Sequence, residues 1–256
     1  MLQAVLFDVD GTLAETEEFH RCAFNASFEA HGLQHRWSVG QYRELLKVTG
    51  GKERLRAYFS SVGQTPDDAQ ILSLHLAKND LYGRNLLAGG AQLRPGVQRL
   101  LREAQEAGLA LGIATTTSES NLDALLRPLM GPQWTQRFAC VVAGDQVARK
   151  KPAPDVYLAC LTQLHIPPDA AIAIEDSAVG IASAGAAGIA VLATPSLYTE
   201  LNDFSAAAST VPDLGDPQMP WNHDVPGFAR RWVQVADLRR LVASQSIVLG
   251  NEMAQR

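Results

Sequence analysis

The chain is poor in cysteine: Cys22, Cys140 and Cys160 are the only three in 256 residues. The number is odd and no pair has C-x-x-C spacing, so neither a disulfide framework nor a cysteine metal site is expected, and three reduced thiols in apolar settings are. Positive charge is in deficit. The formal net charge is −5, which gives no electrostatic footprint for nucleic acid, and any anion site must be built from local donors. A basic leader is missing too. Met1-Leu2-Gln3-Ala4-Val5-Leu6-Phe7-Asp8 has no cationic start, and an acid ends its apolar run. It reads as a strand and not as a signal peptide, so a cytoplasmic location is expected. No membrane contact is expected, because the longest small-and-apolar run, Ala178 to Ala193, is broken by glycines and serine. Internal repeats and low-complexity blocks are absent. What remains is ordinary globular composition, 46% hydrophobic and 19% charged, with length enough for one large domain or a core plus a smaller partner.

Apolar runs at Ala4–Val9, Leu109–Thr115, Cys140–Ala143, Ala170–Ile174 and Ile189–Ala193 read as buried strands. Helical patterns lie between them. Val97–Ala107 follows Arg94-Pro95-Gly96 and ends at Gly108, where a capping glycine belongs. Ser118–Leu126 and Asp155–Leu164 are two more helices. Strand alternating with helix predicts a doubly wound, mostly parallel α/β sheet. Residues 15–90 differ: they offer helices at Glu17–Gly32, Gln41–Leu46, Glu53–Val62 and Asp67–Leu87 but no convincing strand. We therefore expect an α/β core from residues 1–14 and 91–256, with a helical insert between, and Gly89-Gly90 with Arg94-Pro95-Gly96 as the return linker. After about Asn202 the pattern is irregular, with Pro212, Pro217, Pro220 and Pro226 before a helical Trp232–Ala243.

The strongest chemical signal is Asp8-Val9-Asp10-Gly11-Thr12 at the end of the first run. Residues two apart on an extended chain point the same way, so Asp8 and Asp10 address one site at the carboxyl end of a strand. One carboxylate can attack phosphorus; the other can protonate the leaving oxygen and later take a proton from water. Glu175-Asp176 ends another run, and buried acids there must bind a cation or work. Asp8 with Asp176 supplies the one or two carboxylates that Mg²⁺ takes, with Glu175 close by. Lys151, in Lys150-Lys151-Pro152, can cancel phosphoryl charge. Thr115, Thr116, Thr117 and Ser118 put hydroxyls and N–H groups at a helix start, which suits phosphate; Asn121 lies one turn further on.

These four signals, in this order, resemble the motifs of the haloacid dehalogenase superfamily, and the insert looks like that family's C1-type cap. The resemblance covers about residues 4–195. It implies Asp8 as nucleophile and Asp10 as general acid/base. It implies that Thr115 and Lys151 hold the phosphoryl group. Mg²⁺ would be held by Asp8, the Asp10 carbonyl and Asp176, with Glu175 assisting. Aspartate at position 8 favours phosphoryl transfer over dehalogenation.

In such enzymes the cap selects the substrate. Here Gly50-Gly51 precedes a basic helix start with Lys52 and Arg54, and Lys47 is near. Backbone N–H groups and cations together suit a second phosphate. Tyr42, His75 and Lys78 are further substrate-binding candidates, and Glu17 and His20 lie where a cap hinge would face the site. His31 and His35 have i, i+4 spacing but lack a third ligand. The loop Leu46–Arg54, with Glu15-Thr16-Glu17, looks like the CbbY-type phosphatases of this family, which hydrolyse xylulose 1,5-bisphosphate, a Rubisco inhibitor. Lys78-Asn79-Asp80 also resembles β-phosphoglucomutase, a mutase alternative; a general sugar-phosphate or phosphoglycolate phosphatase is the other. A small phosphorylated sugar is the expected partner, and a monomer or weak homo-oligomer the expected state.

Overall fold

A computed structural model describes residues 1–254. Six parallel strands form one sheet: β1 Ala4–Phe7, β2 Ala110–Ala114, β3 Cys140–Val142, β4 Ala171–Glu175, β5 Ala190–Ala193 and β6 Ser209–Thr210. Their spatial order is β3-β2-β1-β4-β5-β6. Phe7 is in register with Ile113 on one side and with Ile174 on the other. From β1 the chain builds outward to β2 and β3, then crosses back to β4 and builds the other way. The reversal leaves a crevice outside the carboxyl ends of β1 and β4, where open α/β sheets bind ligands.

Both faces of the sheet are covered, which is why its strands read as unbroken apolar runs. Alternation along β1 sends Val5 and Phe7 to one layer and Ala4 and Leu6 to the other. The first layer holds α5 (Val97–Glu106) and α6 (Glu119–Met130); the second holds α7 (Asp155–Leu164) and α8 (Ala178–Ala186). In α5 the buried residues are Val97, Leu100, Leu101 and Ala104, one face of a helix. Gly108, with φ of 74°, turns the chain out of that helix as expected.

The irregular C-terminal stretch is a cover for the first layer. Val211, Leu214, Trp221, Val233, Leu238 and Val242 join the same cluster as Phe7. The last helix, α9, runs Val235–Ala254, starting later than the sequence pattern suggested. The two-residue β6 escaped notice because nothing so short carries a period. All three cysteines are free thiols. Among the described residues no helix is long and apolar enough to cross a membrane.

Between β1 and α5 lie α1 (Glu17–Ala30), α2 (Val39–Leu45), α3 (Gly51–Ser61) and α4 (Asp68–Gly89). They share their own apolar cluster of Phe24, Phe28, Trp37, Tyr42, Leu55, Tyr58, Phe59, Ile71 and Leu74, which Tyr198 joins from beyond β5. A capping box opens α4: Asp67 Oδ1 accepts from the Gln70 amide at 2.8 Å, and Gln70 Oε1 from the Asp67 amide at 3.1 Å. Gly90, left-handed, closes it. The return segment is more than a linker. Buried Arg94 donates to the carbonyls of Gly11, Thr194, Pro195 and Pro212 and pairs with Glu15, tying the loop after β1 to the loop after β5.

Candidate active site

Asp8 follows β1 directly, and its amide bonds the Ile174 carbonyl at 3.1 Å. Glu175 ends β4 and Asp176 follows it. The three carboxylates are buried, each offering one oxygen within 4.8 Å of the others. Lys151, on the turn before α7, places Nζ at 2.7 Å from Asp8 Oδ1 and 2.6 Å from Glu175 Oε1. Three carboxylates facing one ammonium leave the site rich in negative charge. Burial, with the Glu175 charge added and Lys151 opposing, pushes the Asp8 carboxyl up to about 7. Burial and the Asp8 and Glu175 charges raise Asp176 well above the carboxylate range. Burial alone would lower Lys151; the charges of Asp8 and Glu175 raise it instead.

This arrangement fits a divalent cation. Glu175 Oε2 is buried with no hydrogen-bond partner among the described residues, and such an oxygen is costly unless something positive meets it. The donors are all carboxylate oxygens, the set that hard cations prefer. Gly11 makes room: its φ is 82°, and a Cβ there would overlap the Asp176 carboxylate.

The Asp10 carboxylate stands outside that cluster. The chain turns at Gly11, and Asp10 Oδ1 instead accepts from Thr16 Oγ1 at 2.5 Å and meets His20 Nε2 at 3.1 Å. His20 lies flat on Tyr82 with centroids 4.0 Å apart, and its Nδ1 is 2.7 Å from Lys78 Nζ. An ammonium only donates, so Nδ1 is the acceptor and Nε2 carries the proton given to Asp10. Burial, with the Lys78 charge behind it, lowers His20 and favours that neutral ring. Burial also pushes Lys78 down to about 7. Burial opposes ionising Asp10, but its contacts with His20, Thr16 and Thr117 prevail and hold it well below the usual range.

Above these groups is a cavity of about 700 Å³. Thr115, Thr116, Thr117, Ser118 and Asn121 line it from the loop after β2 and the start of α6. Thr115 Oγ1 accepts from the Thr117 amide at 3.2 Å, which curls that loop. The helical insert supplies the facing wall: Glu17, His20, Gly50, Gly51, Lys52, Arg54, His75 and Lys78. Gly51 lets the His75 ring approach, since a Cβ would come within 2.7 Å of it. Burial and neighbouring lysines push His75 down to about 4.

Tyr42 and Lys47 stand outside the cavity lining. Tyr42 is fully buried in the insert's apolar cluster and does not line the cavity; its hydroxyl donates to Glu17 Oε2 at 2.9 Å. Arg54 lines the cavity as expected, with part of its guanidinium engaged in the insert. Nε donates to the Leu45 and Val48 carbonyls, and Nη1 to Tyr42 Oη at 2.9 Å. Lys47 pairs with Glu44 in solvent. Nothing in the residue pattern marked Thr16 as a partner of Asp10, or Thr199, whose hydroxyl bonds Asp176 at 3.0 Å. That pattern showed Lys150 only as half of a basic pair. Lys150 meets both Glu53 oxygens at 3.0 Å, Thr49 Oγ1 donates to the Lys151 carbonyl, and Asn121 bonds Asn79 at 3.2 Å. These contacts join the two walls.

A parallel α/β sheet carrying an aspartate nucleophile candidate, a second acid, a lysine and an acidic pair at its strand ends defines an aspartate-based hydrolase. A family model of haloacid dehalogenase-like hydrolases matches residues 2–188, and the chain belongs to that family. It is 51% identical over 213 residues to protein CbbY of Rhodobacter capsulatus, covering 83% of this chain and 94% of that one. It is 47% identical over 245 residues to the plasmid protein CbbY of Cupriavidus necator, covering 93% and 96%. A crystal structure of CbbY from Rhodobacter sphaeroides, an Asp-to-Asn variant in complex with xylulose-(1,5)bisphosphate, superposes with a TM-score of 0.80 at 42% identity, covering 83% and 95%.

Proposed function

We propose that this chain is a Mg²⁺-dependent phosphatase that converts xylulose 1,5-bisphosphate to xylulose 5-phosphate and phosphate, and so removes a Rubisco inhibitor. The observation that carries the reading is the two-walled cavity. One wall holds Asp8, Thr115 and Lys151, fit for the phosphoryl group that is transferred. The other presents Gly50, Gly51, Lys52 and His75, fit for a second phosphate. About 700 Å³ is room for a small sugar.

Asp8 attacks phosphorus, and the bond to the sugar oxygen breaks as Asp10 gives that oxygen a proton. Lys151 and Thr115 hold the phosphoryl oxygens while charge shifts among them. Water then attacks the aspartyl-phosphate, Asp10 takes its proton, and the Asp8 carboxylate returns as phosphate leaves. Asp10 as it stands is ionised, the form the water step needs. A phosphate dianion arriving beside it raises its affinity for a proton, which prepares the first step. Asp8 and Asp176, with Glu175 and the Asp10 carbonyl, would hold Mg²⁺, which supplies positive charge that keeps Asp8 ionised and offsets charge on the phosphoryl oxygens. Residues 15–90 act as a cap on the core of 1–14 and 91–256, and the bonds from Thr49, Glu53 and Asn79 hold it down so that bulk water is kept out.

The test is phosphate release with Mg²⁺ from xylulose 1,5-bisphosphate, ribulose 1,5-bisphosphate, fructose 1,6-bisphosphate, glucose 1-phosphate and phosphoglycolate. Selective release from the xylulose compound is expected. Equal turnover of the monophosphates would reduce the protein to a general phosphatase. Glucose 6-phosphate formed from glucose 1-phosphate without free phosphate would make it a mutase.

A further inference from the structure

The two oxygens of Glu175 are treated unequally. Oε1 accepts from Lys151 Nζ at 2.6 Å and from the Tyr157 hydroxyl at 2.5 Å. Oε2 is buried and has no partner among the described residues. A carboxylate oxygen accepts about two hydrogen bonds, so Oε1 is filled and Oε2 is the oxygen left for another ligand. Tyr157 stands on the first turn of α7, fully buried, outside the residues that line the cavity. Its ring also lies 5.2 Å from the Lys151 ammonium. The carboxylate also rests over Gly180, where any Cβ would overlap it, Oε2 first. Glu175 is thus clamped between a phenol, a lysine and a glycine.

We infer that Tyr157 is a positioning residue of the metal site: with Lys151 its hydroxyl fills Oε1 of Glu175 and keeps Oε2 free to ligate the cation. The inference rests on the proposed reading of Asp8, Glu175 and Asp176 as the groups that hold Mg²⁺. Without the hydroxyl, Lys151 alone anchors Oε1, and the carboxylate is free to turn its unpartnered oxygen toward the ammonium instead.

Tyr157→Phe removes the hydroxyl and keeps the ring. Calorimetric titration with Mg²⁺, without substrate, should show a dissociation constant raised by about tenfold or more, the usual effect of losing a group that orients a ligand. In a Glu175→Gln background the same change should add nothing, because Tyr157 acts through that carboxylate. A residue that merely packs would lower the unfolding temperature in EDTA and leave the Mg²⁺ constant alone. An unchanged constant in Tyr157→Phe, or a full additional loss in the Glu175→Gln background, would overturn the inference. No sugar is present, so the choice of substrate is not at stake. Wild-type protein that binds no Mg²⁺ would instead refute the metal reading itself.

Discussion

Asp8 should make the metal-free protein less stable as pH rises, the reverse of an ordinary paired aspartate. Its carboxyl is raised from 3.8 to about 7, chiefly by burial. The folded state therefore holds that proton more tightly than the unfolded chain. The stabilising effect is fully present below about pH 3.8 and is lost as pH climbs through about 7. The gap, at about 1.4 kcal/mol for each pH unit, corresponds to about 4 kcal/mol once Asp8 is ionised in both states. At about pH 5 the unfolded aspartate is already ionised and roughly 2 kcal/mol of this has been lost, so about 2–3 kcal/mol remains to be lost by about pH 8. Asp8→Asn mimics the protonated acid and isolates this group from every other titration, including that of Lys78, which runs the opposite way. The assay is urea unfolding of both proteins in EDTA at several pH values. Wild-type protein should fall relative to Asp8→Asn by about 2–3 kcal/mol between about pH 5 and about pH 8. Excess Mg²⁺ should abolish the trend, since a ligand at about a hundred times its dissociation constant returns about 2.7 kcal/mol to the ionised form. A difference that stays flat in EDTA, or that grows the other way, would refute the electrostatic account of the site.

Lys52→Ala should raise KM for xylulose 1,5-bisphosphate by roughly tenfold with kcat nearly unchanged, because a distal phosphate contact binds ground and transition states alike. Steady-state kinetics decides it, and no change in KM would remove Lys52 from the substrate wall. Thr16→Val deletes the 2.5 Å bond to Asp10 and should lower kcat by about tenfold or more. It should leave the Mg²⁺ constant in place, because the Asp10 carboxylate stands outside the acidic cluster; a matching loss of Mg²⁺ affinity would contradict that geometry.

The core chemistry was legible because each element of it is local. An acid at the end of an apolar run, next to a glycine that allows a turn, marks a strand end facing a crevice, and β1 and β4 both show it. The doubly wound parallel sheet follows from the alternation of strand and helix, whereas its strand order does not. Thr16, Arg94, Tyr157 and Thr199 were not legible because their partners are distant in sequence or hidden by ordinary residue types. Arg94, for example, meets the Gly11 and Thr194 carbonyls from the far side of the insert. Arg54 was legible only in part. A basic residue near Gly50-Gly51 looks like a phosphate contact, and Arg54 does line the cavity, yet it shares a helix face with buried Leu55 and Tyr58. The same helical period that buries them turns Nε and Nη1 inward, toward the Leu45 and Val48 carbonyls and Tyr42.

The two walls differ in charge. The floor of the site is acidic, with Asp8, Asp10, Glu175 and Asp176 opposed by Lys151, so a phosphate is attracted there only when a cation is bound. The facing wall looks strongly basic in sequence but is much less so in place. Arg54 engages Nε and Nη1 within the insert, Glu53 draws Lys150 away, and burial holds His75 near 4 and brings Lys78 to about 7. Lys52, the amides opening α3 and the rest of Arg54 are left as the main attraction for a second anion. A substrate with phosphates at both ends satisfies both walls at once, whereas a monophosphate leaves that narrow site unpaired. Discrimination between bisphosphate and monophosphate should therefore depend chiefly on Lys52 and a pair of glycines, with Arg54 beside them, which is a weaker hold than the basic cluster in the sequence implies and one that the Lys52 substitution can measure.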